Sequence, residues 1–268
     1  MFTFGINDWW DVSLATTFIK RCMDWSVDEE SVHHRTECSN SNFYDSSGML
    51  QAKGGYLGDF KIKARYLLKN TGRGLGARVF FESGIIIPSN NTLRSTPFVM
   101  GGEQHRHFSL SDGSYKLIGG FEYSMKRDSY PVFWNLSGNI VTPLNESEHG
   151  FFPSNSYNLS FIALSGPPNR TETKFKLTSI GLGVSIAHTD HAQWYGQDSP
   201  NSTSTAISPS ISFVVSSLDY GTLGISINRA YINAFNAGDG TLDQEASVWG
   251  FSLSYRKALD AVIDKLYW

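Results

Sequence analysis

Nowhere in the 268 residues is there an unbroken apolar run of the roughly 18 residues that a membrane helix needs. Mean hydropathy is −0.24, so a bundle of membrane helices is excluded. Charge is scarce: 18% of residues are Asp, Glu, Lys or Arg, against about 25% in an ordinary soluble domain. There is no basic excess either. The net charge is −3 and the pI about 6.2, which speaks against a nucleic-acid partner. Cysteine is limited to Cys22 and Cys38, both in one polar segment. A disulfide closing a surface loop suits an oxidising compartment; two unpaired thiols in a cytosolic protein is the alternative. The opening "MFTFGINDWWDV" has neither a basic n-region nor an apolar h-region, so no signal peptide is visible. Phe2, Phe4 and Ile6 already alternate there with Thr3, Gly5 and Asn7, which points to a truncated or processed start inside a strand; a native cytosolic start is the alternative. Helical periodicity is almost missing as well.

What fills the chain is a period of two. In "GDFKIKARYLLKN", residues 58–70, Phe60, Ile62, Ala64, Tyr66 and Leu68 fall on one side, and Asp59, Lys61, Lys63 and Arg65 on the other. The pattern recurs along about eleven segments, among them Val79/Phe81 against Arg78/Glu82, Leu117/Phe121 against Lys116/Glu122, Leu182/Val184 against Gly183/Ser185, and Ile211/Phe213 against Ser210/Ser212. The phase slips once, near Thr178, as a bulge would make it. Short connections (7–9, 70–73, 127–130, 167–172, 219–221) alternate with long polar ones (20–53, 89–112, 143–156, 189–204, 233–245). Short turns at one end and long loops at the other are the pattern of an outer-membrane barrel; a soluble sandwich has no reason to sort its loops so. Aromatics gather near strand ends: Trp9, Trp10, Phe18, Tyr66, Tyr115, Trp134, Tyr157, Trp194, Tyr231, Trp249 and Tyr255, where interfacial girdles need them. From about residue 135 the polar face carries Gly, Ser, Ala and Asn rather than Lys and Glu.

The pattern therefore predicts an all-β, antiparallel up-and-down transmembrane β-barrel over residues 1–256. Residues 257–268, "KALDAVIDKLYW", space Leu259, Val262, Ile263 and Leu266 as a short amphipathic helix; an added last strand is the rival. The expected location is the bacterial outer membrane, with the apolar face toward lipid.

The stretch "GDFKIKARYLL…GLGARVFFESGIIIPS…GSYKLIGGFEYSMKR" resembles the small outer-membrane barrels of the phenol meta-cleavage-pathway transporter type, and a related uncharacterised barrel family. "FGINDWWDV", Gly58-Asp59 with Arg65-Tyr66, "IIIPSN" and Gly113-Ser114-Tyr115 hold the places of the motifs shared by those families. The likeness spans residues 4 to 140. It departs at "IIIPSN", which lacks the usual Thr-Gly. The resemblance implies further N-terminal strands, near twelve in all, and transport across the outer membrane.

On this reading the lumen-facing charges are Asp59, Lys61, Lys63, Arg65, Arg78, Glu82, Lys116, Glu122 and Lys126: six basic and three acidic. The Lys61–Lys63–Arg65 ladder looks short of partners, so small anionic solutes are favoured for passive diffusion. A structural or partner-bearing barrel is an alternative, and so is a lipid-modifying barrel enzyme. For the last, His188 with Ser185 or His149 with Ser147 could be cast as base and nucleophile, but no nucleophile motif accompanies them, and no catalytic residue is assigned. His33-His34, His105 with His107, and His188 with His191 beside Asp190 invite a metal, yet none shows a full ligand set. No metal or cofactor is expected; the expected partners are membrane lipid and small solutes. The Asn-x-Ser/Thr sites at Asn135, Asn145, Asn158 and Asn201 are read as chance.

Overall fold

The computed structural model describes residues 2–22, 38–44, 48–71, 75–92, 109–148, 150–166, 175–199, 202–217, 219–232 and 246–256. Among them are sixteen strands and no helix. They are β1 (Phe2–Gly5), β2 (Trp10–Phe18), β3 (Phe43–Tyr44), β4 (Leu50–Ala52), β5 (Leu57–Asn70), β6 (Gly76–Ile87), β7 (Lys116–Lys126) and β8 (Phe133–Pro143). There follow β9 (Phe151–Phe152), β10 (Ser156–Ser165), β11 (Lys176–Thr189), β12 (Gln193–Trp194), β13 (Gln197–Asp198), β14 (Ser204–Ser217), β15 (Gly221–Ile232) and β16 (Ala246–Arg256).

Eleven of these form one antiparallel sheet in the order β1-β2-β5-β6-β7-β8-β10-β11-β14-β15-β16. Every neighbour in the sheet is the next long strand in the chain, so the topology is a meander. Hydrogen bonding runs from β1 to β16 and does not join these two edges. The expected slip at Thr178 is present as a register shift between Leu177 and Ser179. Two further shifts, at Thr16/Phe18 and Leu67/Lys69, were not legible beforehand.

The burial of this sheet is reversed from that of a soluble protein, whose apolar residues turn inward. In β14, Ile207, Pro209 and Ile211 are exposed while Ser208, Ser210 and Ser212 are half-buried. In β7, Leu117 and Phe121 are exposed while Glu122 is half-buried and Ser124 buried. Leu182 stands 64% exposed and Phe251 76%. The polar face is thus the less exposed one along β7 and β14, while on β16 residues of both faces are exposed. No helix of the described residues is long and apolar enough to cross a membrane, which says nothing about strands.

The long connections build two small sheets of their own, β13-β12-β9 and β3-β4. Phe151, Ala192 and Trp194 make a buried apolar cluster there, with the two rings 4.8 Å apart. Trp194, expected in an aromatic girdle, is instead 1% exposed, because β9 and β12 pair around it. Gly150 lies at φ +81°, and a Cβ on it would sit 2.1 Å from the Tyr195 ring, so only glycine closes this lobe. The tail 257–268, expected as a helix, lies outside the described residues.

Candidate functional site

The most densely charged surface is the polar face of β2 and β5 to β8. Cross-strand register sets Arg65 between Asp11 on β2 and Glu82 on β6. Arg65 Nε donates to Asp11 Oδ2 at 2.9 Å, and Nη1 reaches over β6 to Glu122 Oε2 at 3.1 Å. Its guanidinium also covers the Phe80 ring, 4.5 Å from the centroid. Lys63 Nζ donates to Glu82 Oε2 at 2.8 Å, and Asn135 Nδ2 donates to Glu122 Oε1 at 2.9 Å. Lys116 pairs with Asp112. The side chains of Lys63 and Glu82 keep 29% and 20% of their exposure, so water still screens them in part.

This corrects the expected ladder of unpartnered cations. Lys63, Arg65 and Lys116 are all paired. Asp11 and Asp112 join the expected Asp59, Glu82 and Glu122, so six bases face five acids. Asp11 follows Trp9 and Trp10 at the edge of the short turn, and the alternation of β2, run one residue back from Val12, sets it opposite Arg65. Lys61, Arg78 and Lys126 make no ion pair among the described residues. Lys61 lies toward the long-loop end of β5, whereas Arg78 and Lys126 lie at the short-turn end.

At the long-loop end a bracket of hydrogen bonds draws loops over the polar face. Asn91 is buried. Its Nδ2 donates to the carbonyls of Ser39 at 2.7 Å and Gly55 at 3.3 Å, and its Oδ1 accepts from Leu110 N at 3.0 Å. Three loop segments therefore meet on one amide. Cys22 and Cys38 are joined in a disulfide, with Cα atoms 4.2 Å apart; beside it, Arg21 N donates to Ser39 Oγ at 2.9 Å and Arg21 O accepts from Ser39 N. Asp59 is tied in as well, accepting from Ser89 N at 3.1 Å. Under these loops lies a cavity of about 400 Å³ bordered by Arg21, Asp59, Lys61, Ile86 and Leu110. A second, of about 500 Å³, lies among Lys53, Asn90, Thr92, Tyr115 and Glu148. Both carry charge of either sign, and the second adds the amides of Asn90 and Asn145, a lining for small polar solutes.

A polar cluster on the apolar face is built around His188. His188, at the long-loop end of β11, lies between Tyr157 and Thr205 in register. Its Nδ1 lies 2.8 Å from Thr205 Oγ1 and its Nε2 3.2 Å from Asp190 Oδ1. Tyr157 Oη and Asn155 Nδ2 donate to Asp190 Oδ2 at 3.0 and 3.2 Å. Desolvation works upward on the Asp190 carboxyl, but the hydrogen bonds from Asn155, Tyr157 and His188 outweigh it and hold the group below the usual carboxylate range. An apolar groove of about 430 Å³ runs from this cluster over Gly119 and Gly138, between Phe81, Phe121, Ile140 and Leu159. Ser185, once cast as partner to His188, is on the opposite face, opposite Ser160 and Ser208. Ser147 is buried and bonds Phe151 N at 3.1 Å. His33, His34, His105, His107, His149 and Asn201 lie outside the described residues. Among the described residues no group of three or more His, Cys, Asp or Glu could hold a metal ion.

Aromatic rings line both ends of the apolar face. At the short-turn end Trp10 packs on Tyr66 at 4.7 Å, Tyr123 on Trp134 at 4.9 Å, and Phe175 on Tyr220 at 5.6 Å. At the long-loop end Phe18 stacks on Tyr56 at 5.3 Å, and Tyr157, Tyr231 and Trp249 continue the row. No family model matches the chain, and no curated protein or solved structure matches it either.

Proposed function

We propose that the sheet closes into an outer-membrane barrel, sets its apolar face against lipid, and passes small solutes by passive diffusion along the polar interior. The reversal of burial carries this reading. Exposed leucine, isoleucine and phenylalanine over a whole sheet face, with ion pairs on the enclosed side, costs free energy in water and is stable in hydrocarbon. Strands of 9 to 14 residues support it, since a tilted strand needs about 9–11 to cross. So do the two aromatic rows, the sorting of short and long connections, and the short motifs shared with the phenol meta-cleavage-pathway transporter type. Closure requires that the β1 and β16 edges be joined, because an open edge leaves backbone groups unpaired in lipid. Lys61, Arg78 and Lys126 give a modest preference for anions. The test is conductance of purified protein in planar bilayers. Stepwise ohmic insertion supports a pore. Silence, with a protein partner that co-purifies, supports a sheath around that partner instead.

The Thr205–His188–Asp190 chain beside the apolar groove favours a second reading, an acyl-ester hydrolase working on the lipid side. A hydroxyl within reach of an imidazole that a carboxylate orients is the arrangement nucleophilic catalysis uses. Release of fatty acid from long-chain esters in micelles, lost in Thr205→Val, would establish it; no release from the wild type rejects it.

A further inference from the structure

We propose that Arg229 is a binding site for the phosphate group of a membrane lipid in the leaflet on the long-loop side. This rests on the reading above, that the apolar face meets lipid. Arg229 lies on that face. The register of β15 places it with Leu223, Ile225, Ile227 and Tyr231, and opposite Trp249 of β16. Along the strands, the other outward positions between the two aromatic rows are apolar, small or hydroxylic, and Lys69, the other ionised outward residue, is one place from the end of its strand. An ionised side chain in such a setting destabilises a barrel by an amount that grows with depth. It therefore calls for a compensating contact.

The protein supplies part of one. The guanidinium carbon sits 5.0 Å from the Tyr231 ring centroid and 5.3 Å from that of Trp249, so two ring faces attract the cation and fix its place. Nη2 donates to Ser247 Oγ at 3.1 Å. No carboxylate among the described residues pairs with it. Nε is shielded from solvent and has no acceptor. A shielded guanidinium N–H without a partner is costly, and its natural complement is an anion that takes Nε and Nη together, as phosphate oxygens do. The location fits that ligand. Arg229 is three residues from the loop end of β15, about 10 Å along the strand. Its long stem reaches from there toward the level of Tyr231 and Trp249, where lipid headgroups lie. Pairing with β14 lapses at Ser208 and Pro209, just opposite Arg229 and Ala230, so the surface is less tightly laced there than elsewhere.

Native mass spectrometry of the detergent-purified chain, offered phosphatidylglycerol or phosphate-free diacylglycerol of equal chain length, tests this. The wild type is expected to retain the anionic phospholipid about tenfold over the uncharged lipid, the low end for a hydrogen-bonded charge. Arg229→Gln loses that preference, and Arg229→Lys keeps only part of it, being a point charge without the planar fork. Inorganic phosphate offered alone should not be retained; its retention equal to that of the lipid would overturn the lipid assignment. Bilayer insertion of the same samples separates the two readings. Insertion by both proteins with equal lipid retention overturns the Arg229 site and leaves the pore standing. Failure of both to insert overturns the membrane reading and the lipid site with it.

Discussion

Strands β5 to β8 and strands β11, β14, β15 and β16 share one alternation, yet they fill the polar face of the sheet by different means. The first group uses long ionised side chains that reach across neighbours: Arg65 touches Asp11 on one side and Glu122 two strands away on the other. The second group uses almost no charge. Gly181 faces Ser212 and Gly183 faces Ser210; a Cβ would sit 2.2 Å from the hydroxyl in the first pair and 2.7 Å in the second. Gly224 with Ser254, and Gly250 with Asn228, repeat the device. A network of charges depends on every member, because a carboxylate that loses its partner keeps its desolvation cost. A wall of glycine and serine depends on shape, and any one hydroxyl can go. In the proposed pore this makes one wall crowded and the other open, so solutes are expected to pass closer to the small-residue wall.

Lysine scanning of the two faces should break the comparison most severely if the faces are misassigned. Lys at Phe60, Leu117, Phe121, Leu182, Val184 or Phe213 should cost roughly 2–4 kcal/mol at mid-strand, and Lys at Ser210 or Ser226 much less, read by equilibrium unfolding in bilayers. Equal costs would mean that the inside and outside are exchanged.

Next in size is the charged network. Arg65→Met strands Asp11 and Glu122. A fully buried broken pair costs 3–5 kcal/mol, and the partial exposure here lowers the expected loss to about 2 kcal/mol. Ser212→Ala on the opposite wall should change stability by less than about 0.5 kcal/mol, since its Oγ is shielded and has no partner. Similar losses in both would erase the distinction between the two walls.

Asn91→Ala should act on neither wall. It leaves two loop carbonyls and one N–H without their partner, a local cost of about 1–3 kcal/mol. Limited proteolysis within 38–57 and 109–115 should speed up while the unfolding midpoint of the sheet stays put. Co-operative loss of the whole sheet would show instead that the loops hold it closed.

The smallest effect is on selectivity. Arg78→Gln with Lys126→Gln removes two of the three polar-face cations that make no ion pair among the described residues, so the reversal potential across a salt gradient should move a few millivolts toward cations, on the order of a one-charge change in a wide pore. The shift should fade between 0.1 M and 1 M salt, as the Debye length falls from about 10 Å to about 3 Å. An unchanged potential at low salt would place the selective constriction at the long-loop end, by Lys61.

Much of this was legible beforehand for a local reason. A strand writes its two faces into consecutive residues, so eleven strands, the bulge near Thr178, and the sharing of one sheet face by the charged set from Asp59 to Lys126 could be read off the chain. The outward position of Arg229 was legible too: the alternation of Ile225 and Ile227, carried on by two residues, reaches it. Trp194 was not, because a tryptophan near a strand end looks the same whether it meets an interface or a lobe built by a distant loop.

The residues themselves determined the period of two, the split of polar from apolar, and the sorting of connections by length, since each depends only on neighbours in the chain. The tertiary structure decided the partnerships: Arg65 with Asp11 and Glu122, Asn91 with Ser39 and Gly55, and His188 with Thr205 rather than Ser185. Those contacts join residues that the register of separate strands brings together, and hydrogen bonds of about 3 Å leave no tolerance for a strand displaced by a single residue, which would turn each of these side chains to the other face.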